Sequence, residues 1–144
     1  MSVKQISVFL ENRPGCLHEM TKALADNNID MRGLSLAETS DFGIVRLIVD
    51  DVYGTANVLK TSGFIASITD VIAVEVPNVP GGLNKVLEIL QGVNINVEYM
   101  YAILGNKSSE TAYMIFRVND NESASNALIK AGVRIMNQET LSAL

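Results

Sequence analysis

Apolar residues recur at two different spacings in the first half of the chain. Near the N-terminus every second residue is apolar, which is typical of a half-buried β-strand, at Ile6, Val8 and Leu10. After Pro14 the spacing changes to that of one helix face, which predicts an amphipathic helix from residue 15 to about residue 27. The stripe along this helix consists of Leu17, Met20, Thr21 and Leu24.

The rest of the first half continues with the same two spacings. Residues 29–36 are predicted to form a strand, followed by a hairpin turn at Asp41-Phe42-Gly43. The next strand has one apolar face, made by Val45, Leu47 and Val49. Residues 52–61 are predicted to form a second helix, with Gly63 at the position after a helix end where glycine is preferred. Residues 64–68 form a short last strand in this prediction.

The second half of the chain repeats the first. Asn12-Arg13-Pro14-Gly15-Cys16-Leu17 returns 66 positions later as Asn78-Val79-Pro80-Gly81-Gly82-Leu83, and Asn28-Ile29-Asp30-Met31 returns at the same offset as Asn94-Ile95-Asn96-Val97. The apolar pattern also returns, at Ile72, Val74, Val76, Leu83, Val86, Leu87, Leu90, Met114, Phe116, Val118, Ala124, Ala127, Leu128 and Ala131. Two separate matches in one register indicate a tandem duplication.

Each half therefore has the predicted order βαββαβ, a split βαβ sandwich in which an antiparallel sheet carries two helices on one face. The fold class is α+β, with a first domain at residues 1–69 and a second at residues 70–144. From Val49 and Val118 onward the offset is 69, so the second half contains three additional residues. We place them in the hairpin around Asn106-Lys107-Ser108-Ser109-Glu110.

Composition restricts the possible functions. The chain of 144 residues is 48% hydrophobic and has a formal net charge of −5, which argues against a nucleic-acid partner because phosphate backbones are bound by clustered Lys and Arg. No apolar stretch is long enough to cross a membrane, and the N-terminus lacks the apolar core of a signal peptide. The expectation is a cytoplasmic protein without a membrane partner.

The duplicated motifs resemble those of the ACT domain, the small amino-acid-binding module of regulators of amino-acid metabolism. The resemblance rests on Asn12-x-Pro14-Gly15-x-Leu17 and Asn78-x-Pro80-Gly81-x-Leu83, where that family most often has Asp-x-Pro-Gly-x-Leu, and on the segments after the first helix of each half. The run Ile95-Asn96-Val97-Glu98-Tyr99-Met100-Tyr101 is similar to stand-alone tandem ACT proteins.

The resemblance implies two ferredoxin-like ACT units packed edge to edge into an eight-stranded sheet, in a homodimer, with a free amino acid bound where units meet. No cofactor is implied. Because no catalytic or DNA-binding domain is present in the sequence, the regulated partner would be a separate protein such as an enzyme of amino-acid metabolism. The alternative is a scaffold that binds no ligand and serves self-association or docking to such an enzyme.

The candidate site residues match the two parts of a free amino acid. Helix-start amides at Gly15, Cys16 and Leu17, and at Gly81, Gly82 and Leu83, would suit a carboxylate, with Pro14 and Pro80 before them. Oxygen acceptors for an ammonium are Asn12, Asn78, Asp30 and Asn96, and the remaining candidates are Arg13, Val79, Asn28, Ile29, Asn94, Ile95 and Tyr99. Having Asn where the family has Asp removes a charge-assisted hydrogen bond from each loop.

Several of these residues have a purely structural alternative. Asn12 and Asn78 would cap a helix, and Asn28 and Asn94 would be ordinary helix C-terminal residues in left-handed geometry. Arg13 would be a solvated loop side chain. Tyr99 and Tyr101 share a strand face, where they would select a flat or bulky ligand side chain such as that of histidine, or fill an interface. We expect one strong ligand site and one weak or vacant one.

Enzyme functions find little support in the sequence. Cys16 and His18, the only cysteine and histidine, are two residues apart on a helix and so point in different directions. One His and one Cys are too few for a metal site, and no glycine-rich phosphate loop followed by Lys is present. The counterpart of Cys16 is Gly82, which suggests that this position tolerates different side chains. The prediction is a protein that is not an enzyme.

Overall fold

The structure is a computed structural model that describes residues 2–104 and 110–144. The chain divides into a first unit, Lys4–Thr69, and a second unit, Asp70–Leu144 together with Met1–Val3. The elements of the first unit are β1 (Val3–Glu11), α1 (Cys16–Asp26), β2 (Gly33–Glu38), β3 (Phe42–Ile48), α2 (Val52–Thr61) and the first residues of β4 (Ile65–Pro77).

The second unit repeats this order. It contains the remainder of β4, then α3 (Gly82–Gly92), β5 (Val97–Ile103), β6 (Thr111–Val118), α4 (Asn121–Lys130), β7 (Ile135–Met136) and α5 (Gln138–Ser142). The order βαββαβ predicted for each half is confirmed, and α5 is an addition at the C-terminus that the sequence pattern did not indicate.

The strands of each unit are antiparallel. In the first unit β3 lies between β1 and β2, so that Val45 pairs with Val8 on one side and with Leu36 on the other. In the second unit β6 holds the same position between β4 and β5, and its Phe116 pairs with Ile72 and Met100. The short β7 pairs with β4 through Ala73 and Met136.

One face of each sheet packs against both helices of its unit. The first core combines strand residues with one face of α1 and α2 and consists of Ile6, Val8, Leu10, Val45, Leu47 and Val49 with Cys16, Met20, Leu24, Val52, Ala56 and Leu59. The second core is its counterpart and consists of Ile72, Val74, Val76, Phe116 and Val118 with Val86, Leu90, Ala124 and Leu128. Each unit is therefore the two-layer α+β sandwich that the spacing of apolar residues predicts.

The four long helices end in the same way. After α1 the N–H of Asn28 donates to Ala25 O and that of Ile29 donates to Leu24 O, at 3.1 and 3.0 Å, the two bonds of a Schellman motif. Asn28 and Asn94 have φ of 55° and 57°, whereas α2 and α4 place a glycine at this position. Both asparagines thus have the left-handed geometry expected at a helix C-terminus.

The helices begin in two different ways. The Asp51 and Asp120 side chains cap α2 and α4 by accepting from the N–H groups of Gly54 and Ser123. The bonds from Ser123 lower the pKa of Asp120, so that this cap stays ionised. In contrast, α1 and α3 have no side-chain cap.

Three sequence predictions of local structure were wrong. The strands expected at residues 64–68 and from Ile72 onward are one continuous strand, β4, because residues 66–70 contain neither Gly nor Pro to break it. Strand β2 begins at Gly33 rather than at residue 29, because residues 28 and 29 complete the end of α1. The hairpin turn lies at residues 39–41, where the Thr39 N–H donates to Phe42 O at 2.7 Å, so Phe42 and Gly43 belong to β3.

The predicted insertion in the β5–β6 hairpin falls mostly outside the described residues. Asn106, Lys107, Ser108 and Ser109 are among the residues that the structure does not describe, and Glu110 directly precedes β6. Among the described residues no helix is long and apolar enough to cross a membrane.

Candidate functional site: the loop before the first helix

The loop between β1 and α1 is tied to the turn between β2 and β3. The Asn12 N–H donates to Asp41 O at 3.0 Å, and its Nδ2 donates to Thr39 O at 3.1 Å. The side chain of Asn12 therefore holds two loops together and does not cap α1. In the second unit the Asn78 N–H makes the equivalent bond to Glu110 O at 2.9 Å, and α3 also lacks a side-chain cap.

Gly15 sits at the N-cap of α1 in a left-handed conformation, with φ of 91°. This conformation strains residues that carry a Cβ, which accounts for glycine here. The N–H groups of Leu17 and His18, the second and third residues of α1, donate to no capping side chain. These amides and the positive end of the helix dipole make the start of α1 suited to a negatively charged group.

A cavity of about 350 Å³ lies beside this helix start. Its lining comes from the loop, from the first turn of α1 and from the β2–β3 hairpin, and consists of Leu10, Glu11, Asn12, Arg13, Cys16, Leu17, Leu36, Glu38 and Gly43. The cavity combines apolar walls with both signs of charge. Its size is at the lower end of the range found for small-molecule sites.

The charges at the cavity differ in how far they are already paired. Arg13 Nε bonds Glu11 Oε2 at 2.9 Å, and Arg13 Nη2 lies 3.7 Å from Glu19 Oε2. The hydrogen bond with Glu11 raises the pKa of Arg13 further above its ordinary value. Glu38 forms no ion pair within residues 2–104 and 110–144 and is exposed. The cavity therefore offers one carboxylate that is not neutralised.

The second unit repeats the backbone of this loop but not its charges. Gly81 has φ of 82° at the N-cap of α3. The counterparts of Glu11, Arg13 and Glu38 in the repeat are Pro77, Val79 and Leu104, and Val79 and Leu104 are exposed. The two loops therefore have the same geometry and different chemistry.

Gly82 fits its position for a steric reason. A Cβ at Gly82 would overlap the carbonyl oxygen of Pro77 and lie 3.1 Å from its carbonyl carbon. Cys16, its counterpart, is buried in the first core. The first unit therefore accommodates a side chain at this position, whereas the second unit has no room for one.

The segments after α1 and α3 lie away from the helix starts. Because α1 has 11 residues at 1.5 Å each, about 16 Å separates Asn28, Ile29 and Asp30 from Gly15. The Asp30 carboxylate accepts from the Met31 N–H at 3.0 Å. In the second unit Asn94, Ile95 and Asn96 line a different cavity of about 320 Å³. Within one unit, the two repeated motifs do not form a single site.

Tyr99 and Tyr101 share a face of β5, as expected. They pair with Arg117 and Ile115 of β6, after an irregularity in the register between Val97 and Tyr99. Tyr101 is buried and Tyr99 is half-buried. Tyr99 does not line the cavity at Asn94.

Cys16 and His18 are held apart on α1. Cys16 is buried, and His18 is exposed on another face of the helix. In the part of the chain that the structure describes, no group of three or more His, Cys, Asp or Glu could hold a metal ion.

Sequence reasoning missed part of the cavity lining. Leu10, Glu11, Leu36, Glu38 and Gly43 belong to it but lie outside the repeated motifs. The strand register would identify them, because Gly43 of β3 pairs with Leu10 of β1 on one side and with Glu38 of β2 on the other. That register depends on the position of the hairpin turn, which the sequence placed two residues too late.

Comparison with known proteins agrees with this architecture. The chain is similar to the crystal structure of protein BT0572 from Bacteroides thetaiotaomicron, with 38% identity, a TM-score of 0.92, and coverage of 100% of this chain and 98% of that one. It is also similar to the ligand-free regulatory subunit of aspartate kinase from Thermus thermophilus, with 18% identity and a TM-score of 0.64, over 89% of this chain and 91% of that one. No curated protein sequence matches it.

A third similar structure is that of aspartokinase III from E. coli in complex with lysine and aspartate, with 16% identity and a TM-score of 0.51, over 90% of this chain and 30% of that one. At these identities the two kinase structures support the fold alone. The family described as the ACT domain pair matches residues 1–144, the full length of the sequence. The resemblance seen in the repeated loops is thus confirmed, and the chain belongs to the ACT domain pair family.

Proposed function

We propose that this protein is a regulatory ACT domain pair that binds a free amino acid in the cavity of the first unit and acts through a separate protein. ACT domains are regulatory modules rather than catalytic ones. The observation that carries the proposal is the combination, at one cavity, of a helix start without a side-chain cap and an unneutralised carboxylate. A free amino acid presents the complementary pair of charges.

Each part of the ligand has a partner in this proposal. The ligand carboxylate accepts from the amides of Leu17 and His18 at the start of α1. The ammonium group lies near Glu38, with the oxygen of Asn12 as a second acceptor. Glu38 would therefore supply the negative charge that the loop lacks, because it has Asn where the family has Asp.

The lining also restricts the side chain of the ligand. Leu10, Leu17 and Leu36 provide apolar walls, and none of the described residues that line the cavity is aromatic. A preference for a flat ring would need Tyr99, which lies in the second unit. We therefore propose an amino acid with an aliphatic side chain for the first unit. The second-unit loop, with apolar residues at the matching positions, would be the weak or vacant site.

Regulation follows if the ligand binds one state of the protein better than another. A ligand shifts an equilibrium only by its differential affinity for two states. We propose that the chain forms a homodimer, and that binding favours the dimer arrangement recognised by an enzyme of amino-acid metabolism. One similar structure is likewise named as the regulatory subunit of an enzyme, aspartate kinase.

A scaffold without a ligand is the second candidate. Among the described strands, β2 has a hydrogen-bonded neighbour on one side only, and it carries Leu34 and Leu36, which are 43% and 54% exposed. Exposed apolar residues on an edge strand favour pairing with another chain. In this function the loop geometry would only shape the turn before α1.

The first test is a thermal-shift screen of the protein against the twenty amino acids, followed by calorimetry on each hit. A ligand present at 100 times its Kd adds about 2.7 kcal/mol of stability, which raises the Tm by roughly 5–10 °C for a chain of this length. A selective aliphatic hit supports the proposal. No hit with any amino acid at millimolar concentration favours the scaffold.

The site is tested by two variants that differ only in charge. Gly15→Asp and Gly15→Asn strain the backbone alike at φ of 91°, but only the aspartate places a carboxylate beside that of the ligand. We expect Gly15→Asp to weaken binding at least about tenfold relative to Gly15→Asn. Gly81→Asp should leave the affinity of the first-unit cavity unchanged. Equal affinities for the two Gly15 variants would place the ligand elsewhere.

A further inference from the structure

We propose that the second unit contains its own small-molecule site, distinct from both repeated motifs, which takes a carboxylate with an aliphatic body. The site is a cavity of about 460 Å³ between the first turns of α3, the end of β4 and the turn that leads from α4 to β7. Its walls are mostly apolar and include Val86, Ile89 and Val133. The charged residues in its lining are Lys85 and Arg134, which are basic, and Glu75 and Glu110, which are acidic.

The two basic side chains at this cavity have free donor groups. Lys85 forms no ion pair with any residue in 2–104 or 110–144. Arg134 Nη1 lies 3.5 Å from Glu75 Oε2, which leaves its other donors unpaired, and its side chain is 81% exposed. Glu75 is 23% exposed, and both it and Arg134 line the cavity.

Lys85 occupies an unfavourable position for the helix itself. It is the fourth residue of α3, and the first turn of this helix contains no acidic residue. A cation near a helix N-terminus is repelled by the helix dipole, whereas an anion there is stabilised. Local features that oppose stability are expected at functional sites. A bound carboxylate would neutralise Lys85 and the start of α3 together.

The first unit shows that the fold alone does not require these charges. Its equivalent cavity, of about 380 Å³, lies in the same place relative to α1, β1 and the end of α2. At the positions of Glu75, Lys85 and Arg134, that cavity has Phe9, Glu19 and Ile65. The duplicated fold thus forms the cavity twice, and only the second copy carries two cations.

The ligand class follows from this lining. A carboxylate would be held between Lys85 and Arg134 by charge-assisted hydrogen bonds. The aliphatic part of the ligand would pack against Val86, Ile89 and Val133 and so be removed from water. Two sources share this chemistry, a free amino acid and a carboxylic acid without an amino group. Glu75 and Glu110, the two carboxylates of the lining, favour the amino acid, because they attract its ammonium group.

The experiment is a ¹H–¹⁵N NMR titration of the full chain with leucine and, separately, with 4-methylpentanoate, which lacks the ammonium group. We expect saturable shifts of the amide signals of Gly82, Lys85 and Gly132 at concentrations up to about 10 mM. Tighter binding of leucine would identify an amino acid as the ligand, and equal binding a simple carboxylic acid. Either result supports the proposal.

The variants come from the repeat. Lys85→Glu and Arg134→Ile introduce the residues that the first unit has at these positions, and together they should weaken binding at least about tenfold. Lys130→Glu makes the same charge change at an exposed residue of α4 outside the cavity and should have no effect.

Two results would overturn the second site. One is the absence of saturable shifts at Gly82, Lys85 and Gly132, and the other is unchanged affinity in the double variant with a native-like spectrum. A response to leucine confined to Gly15 and Leu17 would support the first-unit site and exclude this one. A leucine-induced shift at Gly132 without one at Gly15 would support the second-unit site and exclude the first-unit site. The two proposals can therefore be rejected independently.

Discussion

Replacing Gly82 with alanine is expected to destabilise the second unit by about 2–3 kcal/mol, the cost of overpacking at a rigid contact. The new Cβ would overlap the carbonyl oxygen of Pro77. This atom belongs to the backbone at the end of β4 and cannot rotate away as a side chain would. The effect is opposite in sign to that of an ordinary glycine-to-alanine change in a helix, which stabilises by about 0.5–1 kcal/mol.

Gly92 provides the matched control at the other end of the same helix. A Cβ at Gly92 would meet nothing within 4 Å, so Gly92→Ala should stabilise the unit by a few tenths of a kcal/mol up to about 1 kcal/mol. Urea unfolding of both variants measures the difference. Three of the four tyrosines, at positions 99, 101 and 113, lie in the second unit, and the chain has no Trp, so tyrosine fluorescence mainly reports this unit. Equal stabilities of the two variants would contradict the steric argument.

Truncating Phe116 to alanine is expected to cost about 3–5 kcal/mol, the largest effect of any substitution considered for this protein. Phe116 is fully buried in the second core and lies on β6, the strand between β4 and β5. A unit of this size buries only about 60% of its unfolded surface and has little stability in reserve. We therefore expect Phe116→Ala to unfold the second unit at or near 37 °C.

The repeat again supplies the control, since the counterpart of Phe116 in the first unit is Leu47, also fully buried. Phe116→Leu keeps most of the apolar volume and should cost about 1–2 kcal/mol. Thermal unfolding followed by tyrosine fluorescence, and by the NMR signals of both units, gives the two values. A loss of less than about 1 kcal/mol of stability in Phe116→Ala would mean that the second core repacks to fill the space left by the removed ring.

The spacing of apolar residues was sufficient to predict most of the fold. It gave the order of elements in each half, and helix α2 was predicted with its observed ends. The prediction failed where a segment obeys two rules at once. Residues 28 and 29 have the composition of a strand, but they complete the end of α1, and the hydrogen bonds of that end take precedence. Residues 64–76 contain no Gly or Pro that would end a strand, so one strand continues across the boundary between the two repeats.

The candidate site could be predicted only in part. The repeated loop marks the start of α1 because its backbone geometry needs glycine at residue 15. The opposite side of the cavity, with Leu36 and Glu38, belongs to strand β2. Which residues of β2 face the cavity depends on the register with β3, and moving the hairpin turn by two residues changes that register. The residues shared by the two loop motifs do not carry the difference in charge between the units, because that difference lies at the variable positions of the loop and beyond it.

The missing caps of α1 and α3 have a consequence for the motions of the protein. A side-chain cap typically adds about 1 kcal/mol to a helix, and α2 and α4 have one. The first turns of α1 and α3 are therefore expected to open more often and to exchange their amide hydrogens faster than those of α2 and α4. A ligand bound at α1 would replace the cap and slow this exchange locally. The stability of the first turn of α1 would then depend on the concentration of the ligand.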